Sequence, residues 1–402
     1  MPFSGERPTL LELSHMTSQT VTPAHLTKYQ TAITIVETVE SHYTRHIATA
    51  RRSGDKRQAV QPHAQAIEGI IDAAFWTSLR REEGFSPRIS LAFLPPEQAV
   101  QPVRFGQRLK LSTNNLKKLA PGVERPGIHL GVWYEQDELY VWGTTRHLPN
   151  FCFVVDVSEP GMLVVKHKRK EGLVKFKNMA VLVGEQVKVI DESSTHLTEC
   201  PALLTSLLGL GSSSSWDEPV NALVQLALSM RAHRHGGTLL IVPAGTAAWQ
   251  ASMVHPILHL IEPPFFGLSD LMKQDEREKV TPEWQGALRE AIDSIASFTA
   301  VDGATIITDQ YELIAFGAKI TRPVGRAPVE QMMVTEPVLG SEPCIVHPTQ
   351  KGGTRHLSAA QFVQDQQDAI ALVASQDGRF TAFAWSPCTK MVQAHQIDTL
   401  LL

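Results

Sequence analysis

The run Gly237-Thr238-Leu239-Leu240-Ile241-Val242 constrains the fold more than any other stretch of this chain. A continuous apolar strand of this kind is buried on both faces, so helices must cover the sheet that contains it. Helix patterns flank it. One ends at about His233, with Leu223, Val224, Ala227, Leu228 and Met230 on its apolar side and Asp217 as the expected cap. The other opens at Thr281-Pro282-Glu283 and carries Trp284, Leu288, Ile292, Ile295 and Phe298 on its buried side. Strands are expected at Ala304–Thr308 and Glu312–Gly317, then a helix over Ser358–Asp368. Ala369–Ala374 and Arg379–Trp385 read as a hairpin about Gln376-Asp377-Gly378. The alternation predicts an α/β domain with a central mixed sheet flanked by helices.

Upstream the pattern differs. Helical periodicity covers 31–49, with Ile33, Ile35, Val36 and Val39, and 63–81, with Ala66, Ile67, Ile70, Ile71, Ala74 and Phe75. The basic break between them, 51–57, reads as a solvated loop. From Gly84 the signal becomes strands, including Ile89–Leu94, the pair His129–Tyr134 and Leu139–Trp142, Phe151–Val157, Met162–Val165 and Ala180–Ile190. We therefore expect a helical segment at 1–84, a mostly-β domain at 85–200, a Gly/Ser-rich linker at 201–216 and the α/β domain at 217–402. A chain of 402 residues has room for two or three domains.

Composition excludes several classes. With 43% hydrophobic and 19% charged residues the chain is not disordered as a whole. A net charge of −4 argues against a protein that binds nucleic acid through global charge. Cys152, Cys200, Cys344 and Cys388 are far apart and form no zinc or thioredoxin-type pair. No apolar run approaches the roughly 18 residues of a membrane span, and Glu6 and Arg7 spoil any secretory leader. A cytoplasmic protein is expected. The charged segment Lys166-His167-Lys168-Arg169-Lys170 is followed by Lys175 and Lys177, which alternation about Val174 and Phe176 places on one strand face; it reads as a solvated face, with a phosphate-bearing ligand as the alternative. His255 and His259 have helical spacing, but Pro256 breaks that helix, and Pro263-Pro264-Phe265-Phe266 reads as a loop with both phenylalanines buried.

Two short sequences could carry chemistry. Asp302-Gly303-Ala304 precedes a strand; its carboxylate suits a hard divalent cation, although Asp-Gly is also an ordinary turn. Gly352-Gly353-Thr354-Arg355-His356-Leu357-Ser358 runs into a helix start, where backbone N–H groups and the helix dipole favour an anion. Arg355 can grip a phosphate with two hydrogen bonds. Taken alone, this too reads as a capped glycine loop.

Together and in this order, the 237–242 strand, Asp302-Gly303-Ala304 and Gly353-Thr354-Arg355-His356 resemble the diadenylate cyclase (DAC) family, over roughly residues 217–390. The resemblance implies that two ATP condense to cyclic di-AMP and two pyrophosphates, with face-to-face DAC domains of a homo-oligomer each holding one ATP. It implies Asp302 as the catalytic carboxylate and the ligand of Mg2+ or Mn2+. It implies Gly303, Ala304, Gly353, Thr354, Arg355, His356 and Ser358 as nucleotide-binding residues. The N-terminal part would be a sensor-type domain for an unknown ligand, with no membrane or nucleic-acid partner. Two positions depart from the family pattern: Leu357 replaces a second arginine, and Gln376 stands where an acid is common. These departures keep a second expectation open, a DAC-like ATP-binding sensor that is catalytically impaired.

Overall fold

A computed structural model of the chain describes residues 28–52, 58–82, 84–169, 176–190, 221–279 and 281–402. The fold is mixed α/β, built on two sheets. Three helices, α1 (Gln30–Arg52), α2 (Ala64–Ser78) and α3 (Thr113–Val123), accompany the first sheet. Its strands are β1 (Ser90–Phe93), β2 (Val103–Lys110), β3 (His129–Glu135), β4 (Glu138–Thr145), β5 (Phe153–Glu159), β6 (Met162–Lys168), β7 (Phe176–Val183) and β8 (Gln186–Val189). They lie in the order β2-β4-β3-β1-β5-β6-β7-β8. Only β1 and β3 pair in parallel; every other neighbouring pair is antiparallel.

One core joins the helices to these strands. Ile35, Val39 and Tyr43 of α1 and Ile67, Ile70 and Ile71 of α2 meet Leu91, Phe93, Leu130, Val155 and Leu163. The core therefore takes residues from both sides of position 84. The run 180–190 proves to be two strands, turned at Gly184, which adopts a positive φ of 56°. The strand β2 gives no strand signal in the sequence because it lies at the sheet edge, largely exposed, and carries no alternating apolar set. Lys166, in the charged segment, is buried, ion-paired with Asp156, and its Nζ lies 4.6 Å from the Phe176 ring centre.

The second sheet is built from β9 (Gly237–Val242), β10 (Leu260–Phe265), β11 (Ala304–Thr308), β12 (Leu313–Ala318), β13 (Met332–Thr335), β14 (Cys344–Val346), β15 (Ile370–Ala374), β16 (Phe380–Ser386) and β17 (Met391–Gln396). Its order is β10-β12-β11-β9-β15-β16-β17-β13-β14. All of β9 is buried, as its composition requires; it pairs in parallel with β11 and antiparallel with β15. The helices are α4 (Ala222–Ala232), α5 (Gly267–Met272), α6 (Glu276–Lys279), α7 (Pro282–Phe298) and α8 (Thr354–Asp365). One apolar cluster packs α4 and α7 on Leu239, Ile241 and Leu372; another packs α8 on Leu240, Ile306 and Val373.

Three local expectations change. The cap of α4 is Asn221, whose Oδ1 accepts from the N–H groups of Leu223 and Val224 at 3.1 and 3.2 Å. Asp217 lies outside the described residues, as do the linker 201–216, Lys170, Lys175 and most of the basic break, 53–57. Helix α8 starts at Thr354, four residues before Ser358, so Arg355 and His356 fall in its first turn. Pro263 and Pro264 stand in β10, an edge strand that tolerates their missing N–H groups, and Phe265 and Phe266 are exposed rather than buried. His255 and His259 lie in a non-helical segment. Among the described residues no helix is long and apolar enough to cross a membrane.

Candidate functional site

The buried strand β9, inside the second sheet, reaches the site through Thr238. Its neighbour β11 begins just after Asp302-Gly303, and β12 returns antiparallel beside it. Gly303 adopts a φ of 107°, and a Cβ there would lie 2.5 Å from the carbonyl carbon of Gly317. Only glycine permits that approach. The result is that Asp302 stands exposed at the start of β11, and among the described residues no hydrogen bond or ion pair holds its carboxylate.

The second wall is the start of α8. Gly353 occupies the cap position and no side chain caps the helix. The first N–H groups of an α-helix have no partner within it, and the dipole makes this end attractive to anions. Gly352 is needed because a Cβ there would fall 2.2 Å from Cγ of His356. The imidazole is 6% exposed, with Nε2 3.3 Å from Oγ1 of Thr381 and its edge toward Phe383. Burial holds its pKa below the usual histidine value. The Nε2 of His356 is thus engaged on β16, and the ring fixes the first turn of α8. Arg355 is exposed, and its side chain has no hydrogen-bond or ion-pair partner among the described residues. Its Nη1 would be 3.1 Å from a Cβ on Gly236.

These two walls bound one cavity of about 780 Å³. Asp302, Gly303, Ala304, Gly353, Thr354, Arg355, His356 and Ser358 all line it, so the structure brings together every residue singled out in the sequence. Thr238, Ala318, Lys319, Ile320, Ser375, Gln376 and Asp377 complete the lining. Lys319 is the important omission. Its side chain is exposed and unpartnered among the described residues, and it directly follows Ala318, which pairs with Ala304. Only that strand register reveals it as a neighbour of Asp302. Leu357 turns away and packs with the apolar cluster under α8. Neither Lys351 nor Arg379 lines the cavity, and Arg379 is ion-paired with Asp377 at 3.2 Å. An acid is therefore present one position after Gln376.

Among the described residues no three His, Cys, Asp or Glu side chains cluster as a metal site. The carboxylates and hydroxyls on the residues lining the cavity are those of Asp302 and Asp377 and of Thr238, Thr354, Ser358 and Ser375. Mg²⁺ commonly binds through one or two carboxylates together with substrate phosphates and water. The donor set fits a cation that arrives with a nucleotide, and does not fit a cation held by protein alone.

The fold and cavity define a two-sheet α/β protein whose second sheet carries a cavity lined by two carboxylates, Asp302 and Asp377, and two cations, Lys319 and Arg355. Comparison adds that residues 56–146, from just before α2 to the end of β4, match the family described as "probable sensor domain DACNV". A crystal structure of DacA from Staphylococcus aureus, a double cysteine mutant, aligns over 40% of this chain and 77% of that one, with 14% sequence identity and a TM-score of 0.21. No curated protein matches the chain.

Proposed function

We propose that residues 217–402 are a diadenylate cyclase, condensing two ATP into cyclic di-AMP and two pyrophosphates under the control of the N-terminal sensor-type module. One observation carries this reading. Asp302-Gly303-Ala304 and Gly353-Thr354-Arg355-His356, some fifty residues apart in the chain, line a single cavity. Its volume of about 780 Å³ suits a nucleotide, since small-molecule pockets run from roughly 300 to 1,000 Å³.

Phosphoryl transfer needs in-line positioning and neutralised charge more than covalent help. Arg355, Lys319 and the open N-terminus of α8 supply positive potential for the triphosphate. Asp302 would hold the divalent cation, and its carboxylate accepts a hydrogen bond from the attacking 3′-hydroxyl. The cation, when bound, neutralises phosphate charge and polarises the phosphorus centre. Each 3′-oxygen forms a bond to the α-phosphorus of the other ATP as the bond to its pyrophosphate breaks, and the hydroxyl proton is lost to the carboxylate or to water. Two cavities must therefore face one another, which a twofold pair of copies provides.

A second reading has its own observation. Leu357 packs into the apolar cluster, so a charge-assisted contact of about 1.5–3 kcal/mol is absent from that position. A nucleotide-binding sensor without turnover accommodates this. Purified protein with ATP and Mg²⁺ or Mn²⁺, followed by chromatography, separates the two. Cyclic di-AMP is the expected product. Tight binding of ATP without product with either metal leaves the second reading, and absence of both binding and product overturns both.

A further inference from the structure

The two sheets are joined through a short path of buried and partly buried polar contacts that ends at the cavity. Asn178, on β7 of the first sheet, is buried, and its Nδ2 donates to the carbonyl oxygens of Thr399 and Leu402, each at 3.0 Å. Thr399 and Leu401 are themselves buried. Arg231, in the last turn of α4, donates from Nη1 to the carbonyl oxygen of Leu401 at 2.7 Å. The same guanidinium donates from Nε to the carbonyl oxygen of Gly378 at 3.0 Å. Gly378 closes the β15–β16 turn with a φ of 86°, and the three residues before it, Ser375, Gln376 and Asp377, line the cavity.

A cation in the last turn of a helix commonly complements the helix dipole and needs no other role. The geometry of Arg231 goes beyond that. Its planar fork bridges two carbonyls from segments more than twenty residues apart, one in the cavity turn and one in the segment gripped by the first sheet. Arginine can do this where lysine cannot, because its donors are fixed in relative direction. Further ties between the sheets among the described residues, Lys188 to Glu336 at 2.6 Å, the Leu339 N–H to the Val189 carbonyl at 2.8 Å and the bridge of Ile190 with Val338, reach the 336–339 segment, which does not line the cavity.

We propose that Arg231 is a positioning residue for the cavity, and that with Asn178 and residues 399–402 it forms a strut through which the first sheet sets the placement of Ser375, Gln376 and Asp377. This extends the nucleotide reading of the cavity to its regulation and rests on that reading. A ligand change in the first sheet that moves β7 then alters the nucleotide site through the 375–378 turn. By linkage, a nucleotide in the cavity must act back on β7 with the same coupling free energy.

Hydrogen exchange on the full chain tests the strut directly. Arg231→Met and Asn178→Ala, each of which removes two hydrogen bonds, should each speed amide exchange across 375–379 by about tenfold. Arg231→Lys should recover part of that loss. A non-hydrolysable ATP analogue with Mg²⁺ should slow exchange at 176–180 and 398–402 in the wild type and fail to do so in Asn178→Ala. A merely structural role for Arg231 would not produce that remote protection. Unchanged exchange at 375–379 in Asn178→Ala overturns the proposal, as does an equal rise in Lys188→Ala. Asn178→Ala carries the test alone if Arg231→Met does not fold. If the wild type binds no analogue while Asn178→Ala still loosens the turn, the strut stands and the nucleotide reading falls.

Discussion

Gly303 and Gly317 approach so closely that a Cβ on the first would lie 2.5 Å from the carbonyl carbon and 2.7 Å from the oxygen of the second. The contact holds β11 against β12 beside the cavity, with Asp302 just before one strand and Lys319 just beyond the other. Gly303→Ala must push the strands apart and strain a left-handed backbone. We expect a stability loss of about 2–4 kcal/mol in urea unfolding, from overpacking together with the cost of a positive φ. ATP affinity should fall with it. A wild-type unfolding midpoint in this variant would mean that the strands separate at no cost.

Gly286 gives the opposite expectation. It lies within α7, and a Cβ there meets nothing within 4 Å. Glycine inside a helix is less favourable than alanine by about 0.8–1 kcal/mol. Gly286→Ala should raise the unfolding free energy by about that amount and leave nucleotide binding unchanged. A loss of stability would show that the helix face at this position is packed.

Much of the second sheet was legible because burial on both faces leaves a plain signature. The six residues of β9, the apolar stripe of α7 and the β15–β16 hairpin follow from composition and spacing. The cavity was legible as two glycine-flanked motifs. What the sequence hides depends on register and on contacts between distant segments. Lys319 joins the cavity because Ala318 pairs with Ala304. His356 turns inward because Gly352 leaves room for its ring. Edge strands such as β2 and β10 stay hidden for a related reason: with one neighbour and much exposed surface, they need no apolar alternation, and β10 even accepts two prolines.

Asp302 and Lys319 should separate chemistry from binding. The Asp302 carboxylate is exposed and unpartnered among the described residues, so Asp302→Asn should leave unfolding unchanged. It should reduce cyclic di-AMP formation by at least about a hundredfold, the scale of removing one electrostatic transition-state contact. Lys319→Gln should instead weaken ATP binding by about tenfold, one charge-assisted contact to phosphate. Calorimetry with ATP and a product assay read the two effects. Equal loss of affinity in both variants would place the carboxylate among the ground-state contacts.

His395 lies fully buried on β17, with Nδ1 2.6 Å from Oγ1 of Thr335 on the neighbouring strand β13. Burial pushes its pKa down to about 4. In the unfolded chain a histidine titrates near pH 6.5. Between those values the unfolded state binds more protons than the folded one, so stability rises with pH there and is lost as pH falls. Above about 6.5 both states are neutral at this site and its contribution is complete. The loss on acidification toward pH 4 should approach about 3 kcal/mol, because each pH step between the two values costs about 1.4 kcal/mol. His356, whose pKa burial also lowers, acts in the same sense. Urea unfolding at neutral and mildly acid pH should show a steeper fall for the wild type than for His395→Gln. Parallel falls in the two proteins would mean that the imidazole takes up its proton without leaving the core.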